Sequence, residues 1–252
     1  MEPRNNIGGV KRYWPFLLYA AAVVLHHVYL LVDPQFWTKG LLMSTLLIAV
    51  LLVGLWTQRQ IVAGRRAWWI FGLLCLAIAL CGAGDILLEY SFEAGVAAFA
   101  ASQLAFIALF AGPARGRSFP WWAIPYGLVY SPVIALLWGY LGPFGALIAI
   151  YGLLLLGTAV TSVVVGPVVA VGGLVFLVSE SLLGIRLFVP EWLAWFPDPY
   201  QDTTIMLLYS VGLGLIAFGV IQRLEREPEL AAARTRRRAE VAAIAISPSR
   251  AD

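Results

Sequence analysis

Residues 73–88 read LLCLAIALCGAGDILL, and residues 168–187 read VVAVGGLVFLVSESLLGIRL. Both stretches are long and apolar enough to belong to membrane-spanning helices, since a bilayer core about 30 Å thick takes about 20 residues at about 1.5 Å each. Each also carries one acid inside the apolar run, Asp85 in the first and Glu180 in the second. A carboxylate in hydrocarbon is costly, so an acid at that depth indicates a functional site. The two stretches therefore predict both a membrane fold and the place of its chemistry.

The rest of the chain continues this pattern. Of all residues, 61% are hydrophobic and only 12% are charged, a composition that excludes an ordinary soluble globular protein. Apolar runs predict eight transmembrane helices at 13–32, 40–56, 67–88, 93–112, 120–138, 143–163, 167–188 and 203–222. We expect an all-α integral membrane domain over 13–222, a short cytoplasmic segment over 1–12, and a basic cytoplasmic tail over 223–252. The tail is either disordered or a frayed helix.

The charged residues indicate the orientation of these spans. With eight spans, the termini and every second loop share one side, and that side receives 15 of the 17 basic residues, all except Lys39 and Arg186. The acids of the opposite side are Asp33, Glu89, Glu93, Glu191, Asp198 and Asp202. By the positive-inside rule, both termini are predicted to be cytoplasmic, in a plasma membrane of bacterial type. The net charge of +3 then reflects topology and contact with anionic lipid, and no nucleic-acid partner is expected.

The two acidic segments are similar to each other. Asp85-Ile86-Leu87-Leu88 and Glu180-Ser181-Leu182-Leu183 lie four predicted helices apart, so both segments cross the membrane in the same direction. This similarity makes two parallel four-helix repeats one interpretation of the fold.

Asp85 and Glu180 are the predicted catalytic residues. They lie roughly 27 Å and 20 Å along spans that run outward from the cytoplasm, which places both in the outer half of the membrane. Two neighbouring carboxylates in a low dielectric cannot both ionise easily, so we expect one to be protonated and the other charged. Such a pair can supply a general acid and a charge-stabilising or water-activating base. The sequence leaves open which acid has which role.

Further polar groups at membrane depth are predicted to bind the substrate. Lys39 and Arg186 could each neutralise a carboxylate or bind a phosphate headgroup; the alternatives are an ion pair between Lys39 and Asp85 and a snorkelling Arg186. The remaining candidates could line one polar cavity or form hydrogen bonds between packed helices. They are Ser102, Gln103, Ser179 and Tyr209.

Several other chemistries do not fit the sequence. His26 and His27 are adjacent and point about 100° apart on a helix, so they cannot chelate one metal together, and there is no third histidine. The chain has no nucleophile elbow, P-loop or dinucleotide fingerprint. We therefore predict neither a metal nor a cofactor.

The order and spacing of the motifs resemble those of one family over roughly residues 37–220. The segments that carry the resemblance are Trp37-Thr38-Lys39-Gly40-Leu41-Leu42-Met43, Gly84-Asp85-Ile86-Leu87-Leu88, Phe92-x-x-Gly95-x-x-x-Phe99 with Gln103-Leu104-Ala105-Phe106, Gly173-x-x-Phe176-x-x-Ser179-Glu180-Ser181 and Met206-Leu207-Leu208-Tyr209. They are similar to motifs of the YhhN-like lysoplasmalogenases, which are small eight-span membrane proteins. Three positions depart from the family pattern: Gly40 replaces a proline, Gln103 replaces the usual histidine and Glu180 replaces an aspartate.

The resemblance implies a reaction. The family hydrolyses the vinyl ether bond of lysoplasmalogen and releases a fatty aldehyde and glycerophospho-ethanolamine or -choline, so the implied partners are a lyso-ether phospholipid and membrane lipid. Enol ether hydrolysis starts with proton delivery to carbon and passes through an oxocarbenium ion, which matches a two-carboxylate mechanism. The competing interpretations are a proton-coupled transporter of small molecules or lipids, in which the acids relay protons, and a structural scaffold. The oligomeric state is left open.

Overall fold

The fold is a bundle of long helices. A computed structural model of the chain describes residues 13–32, 37–60, 65–115, 118, 121, 134–197 and 200–246; side chains are described within 13–30, 42–55, 65–115, 118, 121, 134–197 and 200–226. The long helices in these ranges are α1 (Trp14–Val32), α2 (Trp37–Gln60), α3 (Arg65–Leu87), α4 (Phe92–Ala111), α5 (Gly145–Ser162), α6 (Pro167–Phe188) and α7 (Tyr200–Ile246). Short 3₁₀ helices lie at Trp138–Tyr140, Gly142–Phe144 and Pro190–Leu193. These described ranges contain no β-strand, as the all-α prediction requires.

Within the described ranges, five helical stretches are long and apolar enough to cross a membrane: Arg65–Leu87, Phe92–Ala111, Gly142–Ser162, Pro167–Phe188 and Tyr200–Arg226. Shorter apolar stretches at Trp14–Leu30 and Leu42–Leu55 lie in α1 and α2 and coincide with the first two predicted spans. The fifth predicted span, 120–138, falls mostly on residues outside the described part of the chain. The helices indicate an integral membrane protein, while the count of eight spans and the orientation stay predictions.

Local signals explain where several helices begin. Ser91 caps the start of α4: its Oγ accepts a hydrogen bond from the backbone N–H of Ala94, and Glu93 places a negative charge in the first turn. Pro167 occupies the start of α6, where its missing N–H costs no helical hydrogen bond.

The last helix extends beyond the predicted span. Its apolar stretch ends at Arg226, close to the span end predicted near residue 222, and α7 then continues without a break to Ile246, so this part of the tail, expected to be disordered or a frayed helix, is helical. Residues 229–246, ELAAARTRRRAEVAAIAI, are rich in alanine, arginine and glutamate. These residues have high helix propensity and lose little side-chain freedom in a helix, which is why the helix continues beyond its apolar part.

Close helix contacts position the site. Gly172 of α6 and Gly212 of α7 lie where these two helices cross: a Cβ on Gly172 would stand 2.8 Å from the backbone N of Ile216, and one on Gly212 would stand 2.8 Å from the backbone N of Phe176. Small residues at such a crossing let membrane helices approach until their backbones touch. The rotation of α6, and with it the direction in which Glu180 points, is therefore set by its crossing with α7.

The α3 and α6 helices run in the same direction, because the C-terminal half of each lines one cavity near the starts of α4 and α7. This agrees with the common direction predicted for the two acidic segments. The four-helix repeat itself stays a prediction.

We call the end of the bundle with Glu89, Arg186 and Asp202 the acidic end.

Candidate functional site

Asp85 lies in the last turn of α3 and is only 6% exposed. The Tyr209 Oη of α7 donates a hydrogen bond to its Oδ2 over 3.0 Å. The preceding Gly84 leaves room for the Phe99 ring, which would stand within 2.8 Å of a Cβ at that position. A bulkier residue before the acid would therefore push Phe99 out of its place beside the carboxylate.

Glu180 lies within α6 and is 8% exposed. The Tyr151 Oη of α5 donates a hydrogen bond to its Oε2 over 2.7 Å. Each buried acid thus accepts a phenol O–H from a different helix. Such hydrogen bonds partly replace the water that a carboxylate loses on burial.

Both acids line one small cavity of about 60 Å³, which we call the acid cavity. The structure thus brings together the two residues that the sequence predicted to be catalytic. The described residues that line it are Asp85, Leu88, Glu89, Phe99, Glu180, Leu183, Asp202, Ile205, Met206 and Tyr209. A small space lined by the two buried acids, by Glu89 and Asp202 and by a phenol can hold a water or a small polar part of a substrate.

A second space of about 150 Å³ adjoins the acid cavity, and we call it the apolar chamber. Four residues line both: Leu88, Phe99, Glu180 and Leu183. The other described residues that line the chamber are Phe92, Val96, Ile134, Leu137, Ile148, Tyr151, Gly152, Leu155, Leu177, Ser181, Gly184, Ile185, Leu187 and Phe188. Glu180 lines both spaces, and it is the only acidic residue among the described residues that line the chamber.

The two predicted basic residues have different outcomes. Arg186 forms an ion pair with Asp202, which itself lines the acid cavity at the acidic end. Arg186 thus neutralises a carboxylate, as one of its predicted alternatives has it, although that carboxylate is neither Asp85 nor Glu180. Lys39 lies in the first turn of α2. Its side chain is outside the described part of the structure, so its predicted role stays a prediction.

Two of the predicted polar residues bond to backbone instead of facing a cavity. The Ser102 Oγ donates to the Ala77 carbonyl over 2.9 Å, and the Ser179 Oγ donates to the Ile205 carbonyl over 2.7 Å. Each bond joins two neighbouring helices, and neither serine lines the acid cavity or the apolar chamber. Their geometry matches the packing alternative.

Gln103 is fully buried, and the amide atoms of its side chain have no hydrogen-bond partner within the described part of the chain. It lies one helical turn from Phe99 on α4 but does not line either cavity. Its backbone carbonyl accepts a hydrogen bond from the Thr158 Oγ1 over 3.3 Å.

Sequence reasoning missed Tyr151, Glu89 and Asp202 as neighbours of the acids. A signal for Tyr151 was present, because a tyrosine inside an apolar span needs a partner for its hydroxyl, as Tyr209 does. No comparable signal marked Glu89 or Asp202 among the other acids near helix ends. Among the described residues, no group of three or more His, Cys, Asp and Glu side chains could hold a metal ion.

Comparison with known proteins gives one match. A sequence model described as the YhhN family matches residues 35–220, a range that includes both acids and both tyrosines. The match covers most of the chain and confirms the resemblance that the motifs indicated. No curated protein and no solved structure matches the chain.

Proposed function

The chain belongs to the YhhN family, and from this premise we propose that it is a membrane hydrolase that cleaves the vinyl ether bond of a lysoplasmalogen-type single-chain lipid. The products are a fatty aldehyde and a glycerophospho-alcohol. One observation carries the proposal: two buried carboxylates, on α3 and α6, line a single cavity that adjoins an apolar chamber. The cavity offers the acid and base, and the chamber offers room for hydrocarbon beside them.

The chemistry explains why two acids are needed. A vinyl ether has the form R–CH=CH–O–R′, and its hydrolysis starts when a proton is added to the carbon distant from the oxygen. The resulting cation, R–CH₂–CH=O⁺–R′, is stabilised by a nearby negative charge and is attacked by water. A protonated acid and an ionised acid in one site supply the proton and the charge.

We assign the proton donor to Glu180. The double bond of the substrate lies between its alkyl chain and its glycerol part, and Glu180 is the acid that lines both the apolar chamber and the acid cavity. Asp85 lines the acid cavity but not the apolar chamber. We therefore assign it as the ionised partner that faces the cation and the attacking water. The Tyr151 and Tyr209 hydroxyls hold the two carboxyl groups in position.

The protons balance over the cycle. Glu180 gives its proton to carbon, and Asp85 takes a proton from the water that attacks the cation, which yields a neutral hemiacetal. Asp85 then returns a proton to the ether oxygen as the bond between that oxygen and the former vinyl carbon breaks, and the oxygen leaves as the hydroxyl of the glycerol part. Glu180 accepts the hydroxyl proton of the hemiacetal, so aldehyde and alcohol leave and both acids regain their starting states. One water is consumed, and no other reactant is needed.

The test is aldehyde release from a lysoplasmalogen by the purified protein in detergent. Asp85→Asn and Glu180→Gln should each lower the rate by about 10²- to 10⁴-fold, the usual contribution of a general acid or base. Glu191→Gln, a change of an exposed acid, is the matched control and should keep the wild-type rate. An inert wild type that instead moves lipid or small molecules in sealed vesicles under a proton gradient would favour the transporter.

A further inference from the structure

The apolar chamber reaches the surface of the bundle. Ser181 and Leu187 of α6 both line it, and both are exposed, Leu187 by 52%. Gly152 of α5 and Gly184 of α6 line the same space and contribute no side chain to close it. Because α5 and α6 are among the helices long and apolar enough to span the membrane, an opening on their flank faces lipid.

The lining of the chamber selects hydrocarbon. Among the described lining residues, Tyr151 and Ser181 carry the only polar side chains apart from Glu180, and the Tyr151 hydroxyl donates its hydrogen bond to Glu180. The Ser181 hydroxyl donates to the Leu177 carbonyl of its own helix. The other described lining residues are aliphatic, aromatic or glycine, so an alkyl chain is the occupant whose surface they match.

The size of the chamber limits how much of a chain it can hold. At about 150 Å³ it equals cavities that hold one benzene-sized molecule. A lipid chain of ordinary length is much larger, so only a short part of one chain fits beside Glu180. The rest of the chain has to leave through the opening on the flank, and two chains cannot be held side by side.

We propose that the seam between α5 and α6 is a lateral opening to the bilayer, through which the alkyl chain of a single-chain lipid reaches Glu180, and that Gly184 determines its width. The chain lies in the apolar chamber next to the acid and continues outward between the helices. That the lipid is then cleaved rests on the proposed function, whereas the opening itself can be tested without any reaction.

Gly184 offers a clean perturbation of this opening. A Cβ at Gly184 would meet no other atom within 4 Å, so a leucine can be attached there without a clash at its Cβ, and its outer carbons would take up space in the chamber or its opening. Gly72 of α3 is the matched control, since a Cβ there also meets nothing within 4 Å and Gly72 does not line the chamber. Leucine at either position has a higher helix propensity than glycine, so both variants should fold.

The experiment measures photo-crosslinking in lipid nanodiscs. The probe is a saturated single-chain ether phosphocholine with a diazirine on the sixth carbon of its alkyl chain. Wild type and Gly72→Leu should be labelled at residues that line the chamber. Gly184→Leu should be labelled at least about tenfold less, which is the effect of losing about two buried methylenes from the bound chain. Equal labelling of Gly184→Leu and wild type, or adducts that map away from the chamber, would overturn the proposal.

The outcomes for the opening and for the reaction are separate. The saturated probe has no vinyl ether, so its labelling does not depend on turnover. Labelling that Gly184→Leu abolishes, in a protein that releases no aldehyde, supports the opening and contradicts the reaction. Active protein whose Gly184→Leu variant is labelled like wild type contradicts the opening and leaves the reaction standing.

Discussion

The replacement of Tyr151 by phenylalanine tests which acid donates the proton. The change removes one hydroxyl, and with it the 2.7 Å hydrogen bond to Oε2 of Glu180, while it keeps the ring that lines the apolar chamber. If Glu180 is the donor, its carboxyl group is neutral before the reaction and gains negative charge in the transition state. The hydrogen bond from Tyr151 therefore strengthens as the reaction proceeds, and its loss should lower kcat.

The expected decrease in kcat follows from the strength of the Tyr151–Glu180 hydrogen bond when Glu180 is neutral and when it is charged. A hydrogen bond to a charged group contributes about 1.5–3 kcal/mol, and one to a neutral group about 0.5–1.5 kcal/mol. The difference of about 1–2 kcal/mol corresponds to a decrease in kcat of about 5- to 30-fold. Tyr209→Phe is the matched variant, because the 3.0 Å bond from Tyr209 ends on Asp85, which we take to be ionised at the start. It should lower kcat less.

The assay is aldehyde release at saturating lysoplasmalogen, with thermal unfolding of both variants measured in the same detergent. Variants that unfold within a few degrees of wild type make the comparison of kcat valid. A Tyr151→Phe enzyme with wild-type kcat would contradict the role of the tyrosine. A larger loss in Tyr209→Phe than in Tyr151→Phe would instead assign the proton donor to Asp85.

Three further predictions address the reaction and the packing. In D₂O the aldehyde should carry one deuterium on the carbon next to its carbonyl group, as mass spectrometry can show; unlabelled aldehyde would exclude protonation at carbon by Glu180. Gly212→Val should lower the free energy of unfolding by about 1–3 kcal/mol, because the valine side chain would press on the backbone of Phe176. Gly139→Val is the control: a Cβ there meets nothing within 4 Å, so the same melting experiment should show little change in the free energy of unfolding. Gln103→Leu should raise the melting temperature, since it removes a buried amide that has no partner among the described residues, and such an amide costs about 1–3 kcal/mol. A lower melting temperature would show that the amide is satisfied in the folded protein.

Much of the site could be predicted from the sequence, because the depth of a residue in the membrane follows from counting residues along its helix. Asp85 and Glu180 were predicted to lie at comparable depth on parallel helices, and they line one cavity in the structure. Tyr209 was predicted near them, and it donates its hydroxyl to Asp85. Ser102 and Ser179 also lie inside apolar spans but bond to backbone carbonyls, because their helix faces point toward a packed neighbour. Depth is a property of the sequence, whereas the facing direction is not.

The sequence by itself determined that this chain is a helical membrane protein with two acids inside its apolar spans, because span length and the cost of a buried charge are local properties. Only the tertiary structure decided that Tyr151 serves Glu180, that Arg186 pairs with Asp202 and that Glu180 faces the apolar chamber. These contacts depend on how each helix is rotated about its axis. That rotation is set where backbones touch, as at the crossing of Gly172 and Gly212, and by side chains that lie far apart in the chain.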